Sequence, residues 1–366
     1  MKKIIKRILI LFFLASIQII AKAQTMDFAP LDAYWKMIEP LKTGDSLSVV
    51  TWKNFLAIEP NKIYIENQGF DNDYLERLRK SIQVVYMPKY ENILAKRVLA
   101  IEKDPSTYWL TYKVYVYKKY EKELKAFQKQ LLEPSYIQLM YKNTFEWLPK
   151  RLKNKDDKIN IHYLGIENDA IAGDGIVIAT FWNIYNQDKL KPAILLGHEM
   201  HHVLRKPFGF PTKEKQDEGI MYFMSSVLNE GTADMIDKVV NIAHNDELPI
   251  GMKYKDFELF QADSIVAQVD SNLMVMQKTE GKTFKTEKDY RNLIRWTSGH
   301  CPGYYMTDII VRNGYKKQLM NHIQNPFEFI YLYNKAAKKD KEKPYVFNDE
   351  SIQYVKMMDK KYWSKR

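Results

Sequence analysis

The sequence predicts an α+β chain that is predominantly helical, with a small β-sheet just before a short apolar-flanked helix. Three observations carry this. Helical spacing dominates residues 24–150. Strand-like, β-branched runs are confined to residues 159–180, and two further helical stretches, at about 189–205 and 217–244, follow them directly. Strands grouped ahead of helices, rather than alternating with them, are the pattern of an α+β domain.

The first residues stand apart. Lys2, Lys3, Lys6 and Arg7 form a basic head, Ile8 to Ile20 are apolar except for Ser16 and Gln18, and Ala21-Lys22-Ala23 follows. A basic head, a short apolar core and an A-x-A site predict a secretory signal peptide over residues 1–23, cleaved after Ala23. The apolar run is short for a membrane anchor, which needs ~20 residues. The expected chain is therefore exported, to the periplasm or beyond. The formal net charge is +11; the leader carries five cations and no acids, leaving 11 − 5 = +6. That modest excess, with no zinc knuckle or helix-turn-helix signature, gives no reason to expect a nucleic-acid partner. Cys301 is the only cysteine, so no intramolecular disulfide can form. No later apolar run reaches membrane-spanning length.

Within residues 24–153, a helical front region, Leu75, Leu78 and Ile82 line one side of a helix over Asp73–Val85. Residues 108–132 read as a helix rich in Tyr, Val and Leu, broken at Glu133-Pro134-Ser135 and resumed from Tyr136 to Leu152. The tyrosines are expected in the core. Asn154-Lys155-Asp156-Asp157 is a polar hinge that opens the second region, residues 154–366. Ile159 to Leu164 alternates as a strand does. Asp174-Gly175 leads into the β-branched run Ile176–Thr180, a buried or edge strand. A helix from about Lys189 to Arg205 ends in the loop marked by Pro207, Gly209 and Pro211.

That helix carries His198-Glu199-Met200-His201-His202. His198 and His202 are four residues apart, so both imidazoles leave one face about 6 Å apart. Two neutral imidazole nitrogens suit Zn²⁺, and Glu199 stands where a general base would, beside the metal rather than on it. His201 is assigned to structure or solvent rather than to the metal. A catalytic zinc takes a third protein ligand and keeps one position open. Glu230, 28 residues beyond His202 in Asn229-Glu230-Gly231-Thr232-Ala233-Asp234, is the leading candidate, with Glu214, Glu218 and His244 as rivals. Asp234 shares its helix face and is expected to accept a hydrogen bond from a ligand imidazole, His198 by preference. Gly231 costs a helix about 1 kcal/mol, and a close approach of the two helices at the metal would account for it.

His198-Glu199-x-x-His202 followed by Asn229-Glu230-x-x-x-Asp234 resembles the two-helix signature of the gluzincins, the thermolysin-like clan of zinc peptidases. The form Glu-Gly-Thr-Ala-Asp, with a signal peptide and a helical front half, is similar to a bacterial family described as zinc-dependent peptidases. The resemblance spans roughly residues 155–310. It implies a zincin-like metallopeptidase domain, one Zn²⁺ per chain, a peptide or protein substrate, and Ile176–Thr180 as an edge strand that pairs with extended substrate. It also implies a Tyr or His that stabilises the oxyanion, sought in Ser298–Met306. Tyr305 or Tyr304, then His300, are the candidates, in a segment that its glycines and proline are expected to bend. No Gly-x-Met-x-Asn amine-recognition motif is present, which favours endopeptidase action.

Two other readings compete. The site could be a non-catalytic zinc or peptide-binding centre of an envelope protein, but a purely structural zinc needs no adjacent base and takes four ligands. Cys301 beside His300 could suggest a cysteine hydrolase, yet adjacent residues seldom face each other and no nucleophile motif surrounds Cys301.

Overall fold

The computed structural model describes residues 24–167, 169–210, 213–253, 259–294 and 298–364, so the expected leader lies outside the described residues. The chain forms two compact units, one of Met1–Pro134 with Asn154–Tyr185, the other of Ser135–Lys153 with Asn186–Arg366. The division expected at residue 153 is thus revised. Backbone pairing is the reason: the sheet takes a strand from the front segment, so the 159–180 strands cannot be parted from it.

In the first unit, β1 (Gln24–Asp27), β2 (Ile159–Leu164), β3 (Ala170–Gly173) and β4 (Ile176–Thr180) form one sheet in the order β1-β2-β4-β3. β1 and β4 flank β2 in parallel, and β3 runs antiparallel to β4. Asp174 (φ 47°) and Gly175 (φ 78°) make the two-residue turn between β3 and β4. Positive φ at both central residues matches the twist of a tight hairpin. β4 is therefore an inner strand, not the edge; the short Ala-Ile-Ala-Gly strand β3, with a single β-branched residue, takes that place. Tyr163 stacks on Phe28 at 4.3 Å between ring centroids and meets Phe181 edge-on.

The front helices bring their tyrosines inward, Tyr34 and Tyr117 being fully buried. The helix expected over 108–132 breaks at Tyr120 into Trp109–Lys119 and Glu121–Leu131. Lys113 and Glu167 form a buried ion pair, and Tyr74 donates to the other Glu167 oxygen at 2.8 Å. Glu167 holds a left-handed backbone (φ 75°), unusual for a residue with a side chain. Removing one partner of such a pair leaves an uncompensated charge. Lys113→Met should therefore destabilise the protein by about 3 kcal/mol in urea denaturation. Adding Glu167→Gln should recover much of that; equal losses in both variants would show that pairing is not the stabilising element.

The second unit is built on a 29-residue helix, Lys215–Ala243, the acid helix. Against it lie the motif helix (Ile194–Arg205) and the histidine helix (His300–Arg312). The motif helix does not begin at 189. An earlier helix, Phe181–Leu190, ends first; Lys191 precedes Pro192, which disfavours helical backbone there. Ala193 then turns left-handed (φ 59°), its N–H donating to Asp188 Oδ1 at 3.1 Å. Helix Pro134–Phe145 braces the motif helix: Thr144 Oγ1 donates to the Gly197 carbonyl at 2.9 Å and Asn143 Nδ2 to the Pro192 carbonyl at 3.0 Å. Among the described residues no helix is long and apolar enough to cross a membrane.

Candidate metal centre

Three close helix approaches set the site. On the motif helix, a Cβ at Gly197 would come 3.0 Å from Asn143 Cβ and 3.3 Å from Ile236 Cγ2. On the acid helix, a Cβ at Gly231 would lie 2.2 Å from the Gly303 carbonyl oxygen, and one at Gly303 would lie 2.6 Å from that of Val227. Gly231 therefore serves the crossing with the histidine helix, not the contact with the motif helix expected from sequence. Gly299 (φ 108°) lets the histidine helix start against Ser226 of the acid helix. The bend expected in residues 298–306 is confined to Ser298-Gly299; His300 onward is helical, with Pro302 in the first turn, where its missing N–H is harmless.

These crossings bring His198 Nε2, His202 Nε2 and Glu230 Oε2 together. The imidazole nitrogens are 3.0 Å apart, and the carboxylate oxygen is 3.2 Å from His202 and 3.8 Å from His198. Ligand atoms around a tetrahedral zinc, each ~2.0–2.1 Å from it, lie about 3.3 Å from one another. The chemistry of the donors fits too. His198 Nδ1 is 2.9 Å from Asp237 Oδ1; the carboxylate can only accept, so Nδ1 carries a proton and Nε2 is the nitrogen turned to the cluster. Two imidazole nitrogens and a carboxylate oxygen this close, in a partly buried pocket, are placed so that they could hold a metal ion.

Asp237, seven residues after Glu230 on the same helix face, went unrecognised in the sequence; its spacing was the available signal. It takes the role expected of Asp234, which instead pairs with His300 Nδ1 at 2.8 Å and stays 3.7 Å from His198 Nδ1. One turn of rotation along the acid helix separates the two assignments. Lys238 Nζ donates to Asp237 Oδ2 at 2.7 Å. Asn229 Nδ2 donates to Glu230 Oε1 at 2.9 Å, and Arg205 Nη2 holds Asn229 Oδ1 at 2.7 Å.

His300 is the oxyanion candidate brought to this cluster: its Nε2 is 3.4 Å from Glu230 Oε2. Tyr305 donates its hydroxyl to Asp263 at 2.8 Å, and Tyr304 packs against the cluster of Trp147, Met235 and Ile236. Glu199 is buried on the motif helix beside His198. His201 is wholly buried, with Nε2 3.3 Å from the Trp147 carbonyl. Among the rivals, His244 bonds Glu247 at 2.8 Å, Glu214 bonds Lys361 at 2.6 Å, and Glu218 is exposed. Cys301 is buried in the second unit's core, which gives no support to a nucleophilic role.

The charges are strongly coupled. Burial alone would raise the Glu230 and Asp237 carboxyls. The imidazoles of His202, His300 and His198 outweigh it at Glu230, and Lys238 with His198 does so at Asp237, so both lie well below the usual range. Burial acts to lower His300, but Asp234 and Glu230 push it up to about 10. Burial leaves His201 well below its ordinary value, hence neutral.

Depressed carboxyls add stability above their ordinary pKa of about 4, lost as pH falls through the folded values. A raised histidine adds stability fully present below its ordinary 6.5 and lost as pH rises toward about 10. The thermal midpoint of the metal-free protein should therefore peak between about pH 5 and 6.5 and decline on both sides. Asp234→Asn should flatten the alkaline limb; an unaltered limb in that variant would contradict the assignment of His300. Gly231→Ala should cost about 3 kcal/mol, because the clash is with backbone, and should weaken zinc binding measured by titration. Wild-type affinity and stability in that variant would show that the crossing can relax.

Residues 52–342, well over half the chain, match the family model described as "Putative zinc dependent peptidase (DUF5700)". No curated protein and no solved structure matches. The match takes in every residue of the His198–His202–Glu230–His300 cluster, and the chain belongs to that DUF5700 family.

Proposed function

We propose that the protein is an exported zinc peptidase, acting as an endopeptidase through a zincin-like, gluzincin-type centre. The observation that carries this reading is the convergence of His198 Nε2, His202 Nε2 and Glu230 Oε2 from two helices, with Glu199 beside the first ligand. His198, His202 and Glu230 would hold one zinc ion. When bound, zinc supplies Lewis acidity, polarising the scissile carbonyl and bringing the pKa of water toward ~7. Glu199 takes the proton of the attacking water and delivers it to the leaving amine. Asp237 holds His198 in the tautomer that leaves Nε2 free, and Asn229 orients the Glu230 carboxylate. His300, fixed by Asp234, offers its Nε2–H to the developing oxyanion; Tyr304 and Tyr305 are the lesser candidates. Export rests on the leader read in residues 1–23.

A second reading draws on one distance. His300 Nε2 is 3.4 Å from Glu230 Oε2, so as a fourth ligand it would close the site and leave a non-catalytic zinc centre. The two readings part on His300→Ala. Under the peptidase reading this variant keeps about one zinc and loses roughly 10²–10³-fold in kcat on a quenched peptide library, the range for one oxyanion donor. Under the structural reading it loses the metal.

Two further variants bear on the proposal. Glu230→Ala should lose zinc by elemental mass spectrometry, and Glu199→Gln should keep zinc while abolishing turnover. Full activity in Glu199→Gln, or no zinc uptake by the wild-type protein after remetallation, would sink it.

A further inference from the structure

The C-terminal end of the motif helix and the first half of the acid helix line an open cavity of about 370 Å³, and Glu230 forms part of its wall. It therefore adjoins the cluster of His198, His202 and Glu230. Its walls combine apolar and aromatic side chains, Phe208, Phe210, Met221 and Leu228, with two cations, Arg205 and Lys213.

Neither cation forms an ion pair among the described residues, and Arg205 feels Glu230 only from beyond pairing distance. Arg205 is 3% exposed, yet its guanidinium meets only neutral acceptors, the Ile323 carbonyl at 2.8 Å and Asn229 Oδ1 at 2.7 Å, and its Nε has no hydrogen-bond partner among the described residues. Lys213 makes no ion pair among the described residues. Of the acids on the cavity wall, Glu287 is taken by Arg291 at 2.6 Å, and Glu230 faces the histidines. A buried cation without a counter-charge is costly, and a planar guanidinium is matched by a carboxylate.

We infer that this cavity is a specificity pocket that receives a carboxylate of the substrate, with Arg205 and Lys213 as its counter-charges and the aromatic wall covering the adjoining apolar part. The inference rests on the peptidase reading and narrows it to peptides with an acidic group near the scissile bond. That group could be an Asp or Glu side chain or the chain's own C-terminus; the chemistry recognised is the same.

The test uses the zinc-loaded protein and one quenched peptide scaffold in four versions, with Glu at both or Gln at both positions flanking the cleaved bond, each with a free or an amidated C-terminus. The acidic member of one pair should be cleaved with kcat/KM at least about tenfold higher, the scale of a hydrogen bond to a charged group. The pair that shows this identifies the source of the carboxylate. The ratio should shrink in Lys213→Ala and invert in Lys213→Glu, a change at a half-buried residue outside the core. In parallel, zinc-loaded Glu199→Gln should bind the acidic peptide more tightly than its neutral twin by calorimetry, an advantage that falls as salt rises. Turnover without any acid preference would overturn the pocket assignment and leave the peptidase reading standing. No turnover at all would overturn the peptidase reading; the calorimetry would then decide the pocket alone, equal affinities overturning it.

Discussion

The glycine-on-glycine crossing of the acid helix and the histidine helix is the constraint on which the rest of the site depends. At Gly231 and Gly303 the two backbones are so close that a single Cβ would meet a carbonyl oxygen at 2.2 Å. Glu230 is next to one of these glycines and His300 three residues before the other. Backbone contact at that point leaves His300 little room to be anywhere but over Glu230 and Asp234. Helical glycine is costly by propensity, and here the geometry explains why it is kept.

Electrostatics complete what packing begins. The acid helix presents Glu230, Asp234 and Asp237 on one face, each with a different partner: the ligand cluster, His300 and His198. Three carboxylates so placed would repel one another in a buried setting. Three imidazoles and Lys238 counter them, and the resulting network fixes which nitrogen of His198 carries its proton. Arg205 and Asn229 extend the network to the wall of the neighbouring cavity, so the residues that orient Glu230 also shape the space beside it.

Much of this was readable in the chain. The His198–His202 spacing, Glu199, Glu230 and the acid helix from about 217 are local patterns of period 3.6, and local patterns survive without knowledge of the fold. The strands at 159–164 and 176–180 were legible for the same reason, through alternation and β-branching. What failed was pairwise. Asp234 and Asp237 lie on the same side of one helix, and spacing alone could not say which reaches His198. Tyr305 ranked above His300 because a side chain's direction from a helix depends on where that helix is docked.

By itself, then, the sequence determined the strands at 159–164 and 176–180, the acid helix and the spacing of His198, His202 and Glu230, because backbone propensity and side-chain periodicity are encoded over a few neighbouring residues. Only the tertiary structure decided the inner position of β4, the grouping of β1 with β2, the role of Asp237 and the arrival of His300. Each of those depends on residues far apart in the chain meeting across a strand pair or a helix crossing, and such meetings are fixed by packing and buried charge rather than by local sequence.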